Sequence, residues 1–408
     1  MTKRNINLVM SVANDSGNGF SKTFFKFEDG SNRVTITPSL YAPITSNEGI
    51  PNLGDANVQD MEKNMDVTIK SPALKTTEEY LVGNAAIANG DSVISYNVDA
   101  NLGKVTPDIS IILPLTKIAY VALEHVLEKK QDIPKTINVT LAYYLTCLPI
   151  SEFNNPKKRE LFLKKLSKGK HTVIIKSLSQ DVKVNISMDA TQTFIYPEGI
   201  TAQIGLIYNP EKSFAYREGD LFEKSPYSNG KAYSDSGNAL LIDIGDGTTD
   251  ISVMNGTHPL KGLGVNISLS QGVGTAASAA SDQLAIDYTQ IGHYSRSVFL
   301  EHAIRENGEG KTLREKYLEP KINSLINAIE TVVEKEYRKA NNDINTVVVL
   351  GGGVNALTEK NKEFLQAKID SLNPFESHAN VWWISVKYSQ LLNLDGLRVF
   401  LDRKLAQK

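Results

Sequence analysis

Apolar and polar residues alternate on both sides of a glycine-rich break in INLVMSVANDSGNGFSKTFFKF, residues 6–27, which predicts strand, turn, strand. From about 28 to 103 the pattern is mixed and polar, with Pro38, Pro43, Pro51 and Pro72, and predicts a small irregular insertion with little core of its own. Apolar residues then recur at helical spacing from Asp108 to Lys129. INVTLAYYLTCLPI reads as a buried strand ending at Pro149, HTVIIKSLSQDVKVNISM as two strands, and TFIYPEGITAQIGLIY as a strand entering a helix through Pro197. The polar stretch 209–238 is a crossover. A second strand–turn–strand follows in LLIDIGDGTTDISV, residues 240–253. GTAASAASDQLAI starts a small-residue helix, LREKYLEPKINSLINAIETVVEKEY gives amphipathic helices bent or separated at Pro320, and INTVVVLGGGVNAL is strand, triple glycine and helix start.

Length and charge narrow this picture. A chain of 408 residues exceeds the usual size of a single core, so two domains are expected. The formal charge of -2 gives no electrostatic reason for direct binding to nucleic acid or an anionic membrane. Cys147 is the only cysteine, which points to a reducing compartment, and the six histidines have no metal-ligand spacing. The N-terminal apolar stretch is too short for a signal sequence, and no run of about 18 apolar residues occurs. The expected location is the cytoplasm.

Three glycine turns carry the candidate chemistry. In DIGDGTTD, Met254 falls where an EF-hand needs its bidentate Glu, and strand rather than helix follows, which excludes a dinucleotide fingerprint. Two readings stay open: a solvated hairpin turn, or a phosphate grip. In the second, Gly245 and Gly247 allow close approach, Thr248 and Thr249 donate, and Asp243 holds Mg²⁺ through water. NDSGNGFSK repeats that logic with Asp15, Gly17, Asn18 and Gly19, and alternation could return Lys22 to the phosphate face; the competing reading is an Asn-Gly type I′ turn. Gly351, Gly352 and Gly353 would let a ribose or flat ring approach the backbone, or serve only as a turn. GEGKT, residues 308–312, ends like a Walker A loop but has Arg305 where the first glycine belongs, and reads as a helix–helix loop. Glu198, between Pro197 and Gly199, either complements a helix dipole or positions the water that attacks a γ-phosphate.

The order of NDSGNGFSK, LTCLPISEF, PEG, DIGDGTTD and LGGGVNAL resembles the actin-like ATPase superfamily, whose phosphate-1, connect-1, phosphate-2 and adenosine motifs these stretches match across nearly the whole chain. Within it the chain is most similar to the ParM-type plasmid-segregation proteins of bacteria, through NDSGNGFSK, PEG and QLLNLDGLRVFL. The resemblance implies an α/β actin-like fold, with two related α/β domains flanking a nucleotide cleft. The first would cover 1–208, with a variable insertion at about 28–103, and be completed by about 375–408; the second would cover 209–374, including the crossover 209–238.

The same resemblance implies ATP, with GTP as the alternative, and Mg²⁺. Asp15 and Asp243 would stand on the metal side, with Ser16, Gly17, Asn18, Gly19 and Lys22 around the phosphates. Gly245, Asp246, Gly247, Thr248 and Thr249 would form the second phosphate loop, and Glu198 would position water. Gly351, Gly352, Gly353 and Asn355 would lie against the nucleoside, and Gly272 and Gly274 of QGVGTAAS would belong to the connect-2 motif. The implied function is a nucleotide-dependent filament that moves plasmid DNA through a ParR-like adaptor on a centromere-like site. Its partners are then other copies of itself and the adaptor, without direct nucleic-acid or membrane contact. The alternatives are a small-molecule kinase and a membrane-tethered ATP switch of the same fold, the latter through the amphipathic tail LRVFLDRKLAQK.

Overall fold

The structure is a computed structural model that describes residues 5–44, 58–89, 92–97, 103–129, 132–212, 214–260, 267–290, 294, 296–305, 308–372 and 379–407. Within these residues the strands form two sheets. The first holds β1 (Asn5–Ser16), β2 (Phe20–Phe27), β3 (Asn32–Pro38), β4 (Leu40–Pro43), β5 (Met65–Lys70), β6 (Glu78–Val82) and β7 (Ile94–Ser95). It continues with β8 (Thr136–Leu148), β9 (Lys170–Ile175), β10 (Val182–Ser187) and β11 (Thr193–Pro197). The second holds β12 (Asn238–Ile244), β13 (Thr249–Asn255), β14 (His258–Pro259), β15 (Ile267–Leu269), β16 (Thr346–Leu350) and β17 (Asn380–Trp383).

Both sheets centre on an antiparallel hairpin whose first strand also pairs in parallel with a later strand. β1 pairs β2 antiparallel and β8 parallel, and β12 pairs β13 antiparallel and β16 parallel. Period-two alternation sends neighbouring residues to opposite layers. On the first sheet, Met10, Val12, Phe25 and Val139 pack with the helix α1 (Ile109–Lys129). That helix is long and apolar enough to cross a membrane, but it is buried throughout that apolar span as core. Ala13, Phe24, Leu145 and Cys147 face the other way.

On the second sheet, Leu240, Ile242 and Ile244 meet the helices that follow β13 and β16. Leu241, Val348 and Trp382 meet the helix α2 (Ile200–Ile207). Trp382 is thus core, packed against Phe222 and Tyr233.

The tail folds back as the helix α3 (Leu392–Leu405), whose Leu394, Leu397 and Leu401 cover the open face of the first sheet. It crosses α2 through two glycines: a Cβ on Gly205 would lie 2.4 Å from Leu392 O, and one on Gly396 would lie 1.8 Å from Thr201 O. The α2–α3 crossing therefore joins the layer under the second sheet to the layer over the first.

Three expectations need correction. The segment 28–103 is not an irregular insertion without a core, because β3 to β7 extend the first sheet and Met61, Met65, Val67, Tyr80 and Val82 enter its main core. In β3 the alternation is inverted, with Thr35 and Thr37 buried and Val34 and Ile36 exposed, so the pattern gives no sign of a strand in a core. The triple glycine does not open an α-helix: Gly352–Ala356 is a 3₁₀ turn, and the next α-helix begins at Glu359, where Thr358 caps Asn361. GEGKT forms a short helix, Gly308–Thr312, rather than a loop, and none of its residues lines the cleft described below. The strand at 380–383 pairs with β16, so the chain returns to the first sheet only after it; the boundary expected at about 374–375 lies outside the described residues.

Candidate nucleotide site

β1, β8 and β11 run parallel, so their C-terminal ends come together at one edge, the place where open α/β sheets hold ligands. Asp15, Cys147 and Glu198 each put a ligand atom within 4.8 Å of the others there. All three are buried. The Cys147 thiol donates to Asp15 Oδ1 at 3.6 Å. Burial, with Asp15 and Glu198 adding to it, pushes that thiol well up, so it stays protonated and is a poor metal ligand.

In the first hairpin Asp15 stands opposite Lys22 in register, and Lys22 Nζ donates to Asp15 Oδ2 at 3.1 Å. Behind them Asn14 acts as a hub: it donates to Ser16 Oγ and Tyr144 OH and accepts from the hydroxyls of Ser21 and Thr23. Ser16 therefore braces the hairpin from within. Gly17 and Gly19 are absent from the positive-φ residues, so the Asn-Gly pair does not make a type I′ turn. A Cβ on Gly17 would sit 2.6 Å from Phe20 O, which requires glycine for the tight loop.

In the second hairpin the register sets Asp243 against Asp250, and Gly245 N donates to Thr248 O at 2.8 Å across the turn. Asp243 Oδ2 accepts from Asn393 Nδ2 at 3.0 Å, and Asn393 in turn accepts from Thr201 Oγ1 at 2.6 Å. Burial, followed by the Asp250 carboxylate, pushes Asp243 up to about 7. The backbone carbonyls of Gly245 and Asp246 accept from Val273 N and Gly274 N, which open the helix α4 (Val273–Asp287). Cβ atoms on Gly272 and Gly274 would lie 2.5 Å from Gly245 O and 2.2 Å from Asp246 Oδ1. These two glycines fit the helix to the turn and do not line the cleft.

A cleft of about 260 Å³ lies between the hairpins, lined by Asp15, Gly17, Asn18, Gly19, Lys22, Glu198, Asp243, Gly245, Asp246, Thr248, Gly351, Gly352, Gly353 and Asn355. Most of the expected site is therefore in one place. Besides Ser16, Gly272 and Gly274, two expected residues lie off it. Gly247 lines a neighbouring cavity, and the Thr249 hydroxyl donates to Gln271 O at 2.9 Å. The three terminal glycines differ. Gly351 has φ +100° with its Cβ position 2.4 Å from Asp243 Oδ1, Gly353 abuts Ile244, and only Gly352 faces open space.

Glu198 follows β11 and precedes Gly199, whose φ of +79° turns the chain into α2. Its Oε1 accepts from Lys104 Nζ at 2.6 Å. Burial raises the Glu198 carboxyl, and Asp250 and Asp15 add to it, while the Lys104 ammonium 2.6 Å away favours its ionised form. Burial works against the Lys104 charge, but Glu198 and Asp15 outweigh it and hold the ammonium protonated.

Sequence reasoning missed four residues. Lys104 lies just after residues outside the described set. Asp250 stands at the far end of the same glycine turn, on the strand opposite Asp243. Asn393 reaches back from the tail. Arg296 donates to Tyr96 O at 2.9 Å and Asn18 O at 3.2 Å and pairs with Asp246 Oδ2 at 2.9 Å, so one guanidinium touches both hairpins. Only Asp250 left a signal, as the second carboxylate of a strand-paired DIGDGTTD.

Residues 13–200 match the family model for the N-terminal domain of actin-like proteins, and residues 241–363 match that for the C-terminal part of archaeal MreB-like actin homologues. Among solved structures the chain is similar to the actin-like protein Alp7A, at 18% identity over 98% of both chains, with a TM-score of 0.65. It is also similar to the ParM of a 15-stranded filament from Clostridium botulinum, at 18% identity over 98% of this chain and 99% of that one, TM-score 0.63. Bacillus thuringiensis ParM with AMPPNP aligns at 16% identity over 98% and 99%, TM-score 0.54. A search of curated proteins gave no match.

Proposed function

The chain belongs to the actin-like superfamily, and from that premise we propose that it is a nucleotide-dependent ATPase that assembles into filaments. The observation that carries the proposal is the facing of two glycine hairpins across one cleft with an excess of buried carboxylate. Asp15, Glu198 and Asp243 are buried in its lining, beside the ammonium groups of Lys22 and Lys104, and Asp250 lies buried behind Asp243 in the strand pair. Burial opposes the ionised forms of Asp243 and Glu198, and a divalent cation brought with the phosphates would favour them. The donor set is oxygen-rich and hard, as Mg²⁺ requires. Mg²⁺ would be held by Asp15 and Asp243, and when bound it supplies charge neutralisation for the β- and γ-phosphates.

The chain's own residues divide the remaining work. Backbone N–H groups of the 17–19 and 245–248 turns, with Lys22, bind phosphate. Gly352 leaves room for the nucleoside. Glu198 orients the water that attacks the γ-phosphate. ATP is the preferred ligand, with GTP as the alternative. ParM and an archaeal actin homologue of the same fold have been solved with AMPPNP and ADP, which supports a nucleotide here.

A head-to-tail contact that does not close yields an open polymer, and the filament of the Clostridium ParM supports this mode of self-association. We assign the first sheet with α3 to one lobe and the second sheet to the other. Closure of the lobes on nucleotide favours assembly, and hydrolysis weakens it. Movement of plasmid DNA would go through a ParR-like adaptor, in keeping with the near-neutral charge of -2. Light scattering and electron microscopy over a protein concentration series test the proposal. Filaments above a critical concentration are expected with Mg·ATP and not without it; a monomer at every concentration would contradict it.

A further inference from the structure

Lys104 lies on the floor of the cleft, and its position is over-determined. Gly103 has φ +67°, and a Cβ there would stand 1.9 Å from Glu152 Oε1, so only glycine permits the approach. The next backbone N–H, that of Lys104, donates to Glu152 Oε2 at 2.7 Å, while the Lys104 carbonyl accepts from the Ser110 hydroxyl. Glu152 is itself buried and is held by Lys158 Nζ at 3.1 Å, just past the end of β8. This anchoring aims the ammonium at Glu198 Oε1. Asp15, Cys147 and Glu198 converge there, and the Lys104 ammonium bonds the Glu198 member of the group.

A buried Lys–Glu pair is not an economical way to stabilise a fold, because two charges must leave water and an apolar pair of similar volume often does as well. Lys104 is 5% exposed and Glu198 6%. Their retention in the wall of the cleft therefore calls for a role in the chemistry. A carboxylate has two oxygens, and Lys104 takes one.

We propose that Lys104 is a positioning residue for phosphoryl transfer: it holds Oε1 of Glu198 so that the other carboxylate oxygen is directed at the attacking water. The proposal rests on the reading of Glu198 as the water-positioning group. Lys104 acts through Glu198, not on the nucleotide. Its removal lowers turnover, leaves Mg·ATP affinity nearly intact, and has little effect once Glu198 can no longer orient water.

The test is steady-state phosphate release at saturating Mg·ATP for the full chain and for Lys104→Met, Glu198→Gln and the double variant. Loss of one positioned acid–base group typically costs about 10²- to 10⁴-fold, and residues that act as a unit are non-additive. Lys104→Met should lower kcat by at least about tenfold with KM within about threefold, and should change the Glu198→Gln rate by less than about twofold. Lys104→Arg, which keeps the charge, should restore part of the rate. An unchanged kcat in Lys104→Met, or an equal loss in both backgrounds, overturns the proposal. A wild-type rate in Glu198→Gln overturns instead the reading of Glu198. Should Lys104→Met not fold, Lys104→Leu, which likewise cannot donate, runs the same cycle under the same criteria.

Discussion

The two hairpins set an aspartate before a glycine turn in the same way, yet their charges are balanced oppositely. In the first, Asp15 faces Lys22 across the strand pair, and the hairpin carries its own cation. In the second, Asp243 faces Asp250, and among the described residues its only side-chain hydrogen-bond donor is the neutral amide of Asn393. Their supports differ too. The first turn is braced by the Asn14 hub inside its sheet, whereas the second rests on the N-terminus of α4 through carbonyls of Gly245 and Asp246. A common backbone motif thus yields one arm that carries its own cation and one of paired carboxylates, and the second is the side that calls for a cation brought with the ligand.

The largest effect that could break this comparison is expected from Asp243→Ala. Charge-assisted contacts are worth about 1.5–3 kcal/mol, so Mg·ATP should bind roughly 10- to 150-fold more weakly by calorimetric titration. Affinity for ATP in EDTA should change far less. Equal losses with and without Mg²⁺ would put Asp243 on the phosphates rather than the metal. Lys22→Met comes next. It strips the first arm of its cation and should weaken nucleotide about tenfold in both conditions, as expected for a group that contacts phosphate directly.

Asp250→Asn sharpens the contrast from the other side. Asp243 titrates near 7 in the fold against an ordinary 3.8, so the folded state binds the proton more tightly. That contribution to stability is complete below about pH 4 and is lost as pH rises through about 7. Nucleotide-free protein should therefore melt lower at pH 8 than at pH 5. Removing the Asp250 charge should shrink that difference by a few degrees, since one pKa unit is about 1.4 kcal/mol and shifts a domain by roughly 2–4 °C. A melting profile that ignores the substitution would show that the two carboxylates do not interact. The smallest effect belongs to Arg296→Ala, which unties the arms from one another. Nucleotide dissociation should quicken about three- to tenfold, the scale of one partly exposed charged contact, in a stopped-flow chase with fluorescent ATP.

Much of this was legible in the chain because short-range rules produce it. Alternation on either side of NDSGNG and DIGDGTTD predicts both hairpins, and Pro197-Glu198-Gly199 marks the turn from β11 into α2. The missed residues reach the site over long separations that periodicity does not encode. Lys104 bonds Glu198 from 94 positions away, Asn393 bonds Asp243 from 150, and Arg296 bonds Asn18 from 278. Gly272 and Gly274 illustrate the opposite error. The resemblance implies a place for them in the nucleotide site, but the space beside them is filled by Asp246 and the turn backbone. The same residue type serves close packing and ligand approach, and only the surrounding atoms distinguish them.

The most direct test of the account is a crystal structure of the protein with AMPPNP and Mg²⁺. The account predicts one nucleotide with its phosphates contacted by backbone N–H groups of both 17–19 and 245–248, the metal beside Asp15 and Asp243, and the nucleoside against Gly352. A nucleotide whose phosphates touch only one hairpin, or a metal bound away from both aspartates, would contradict it.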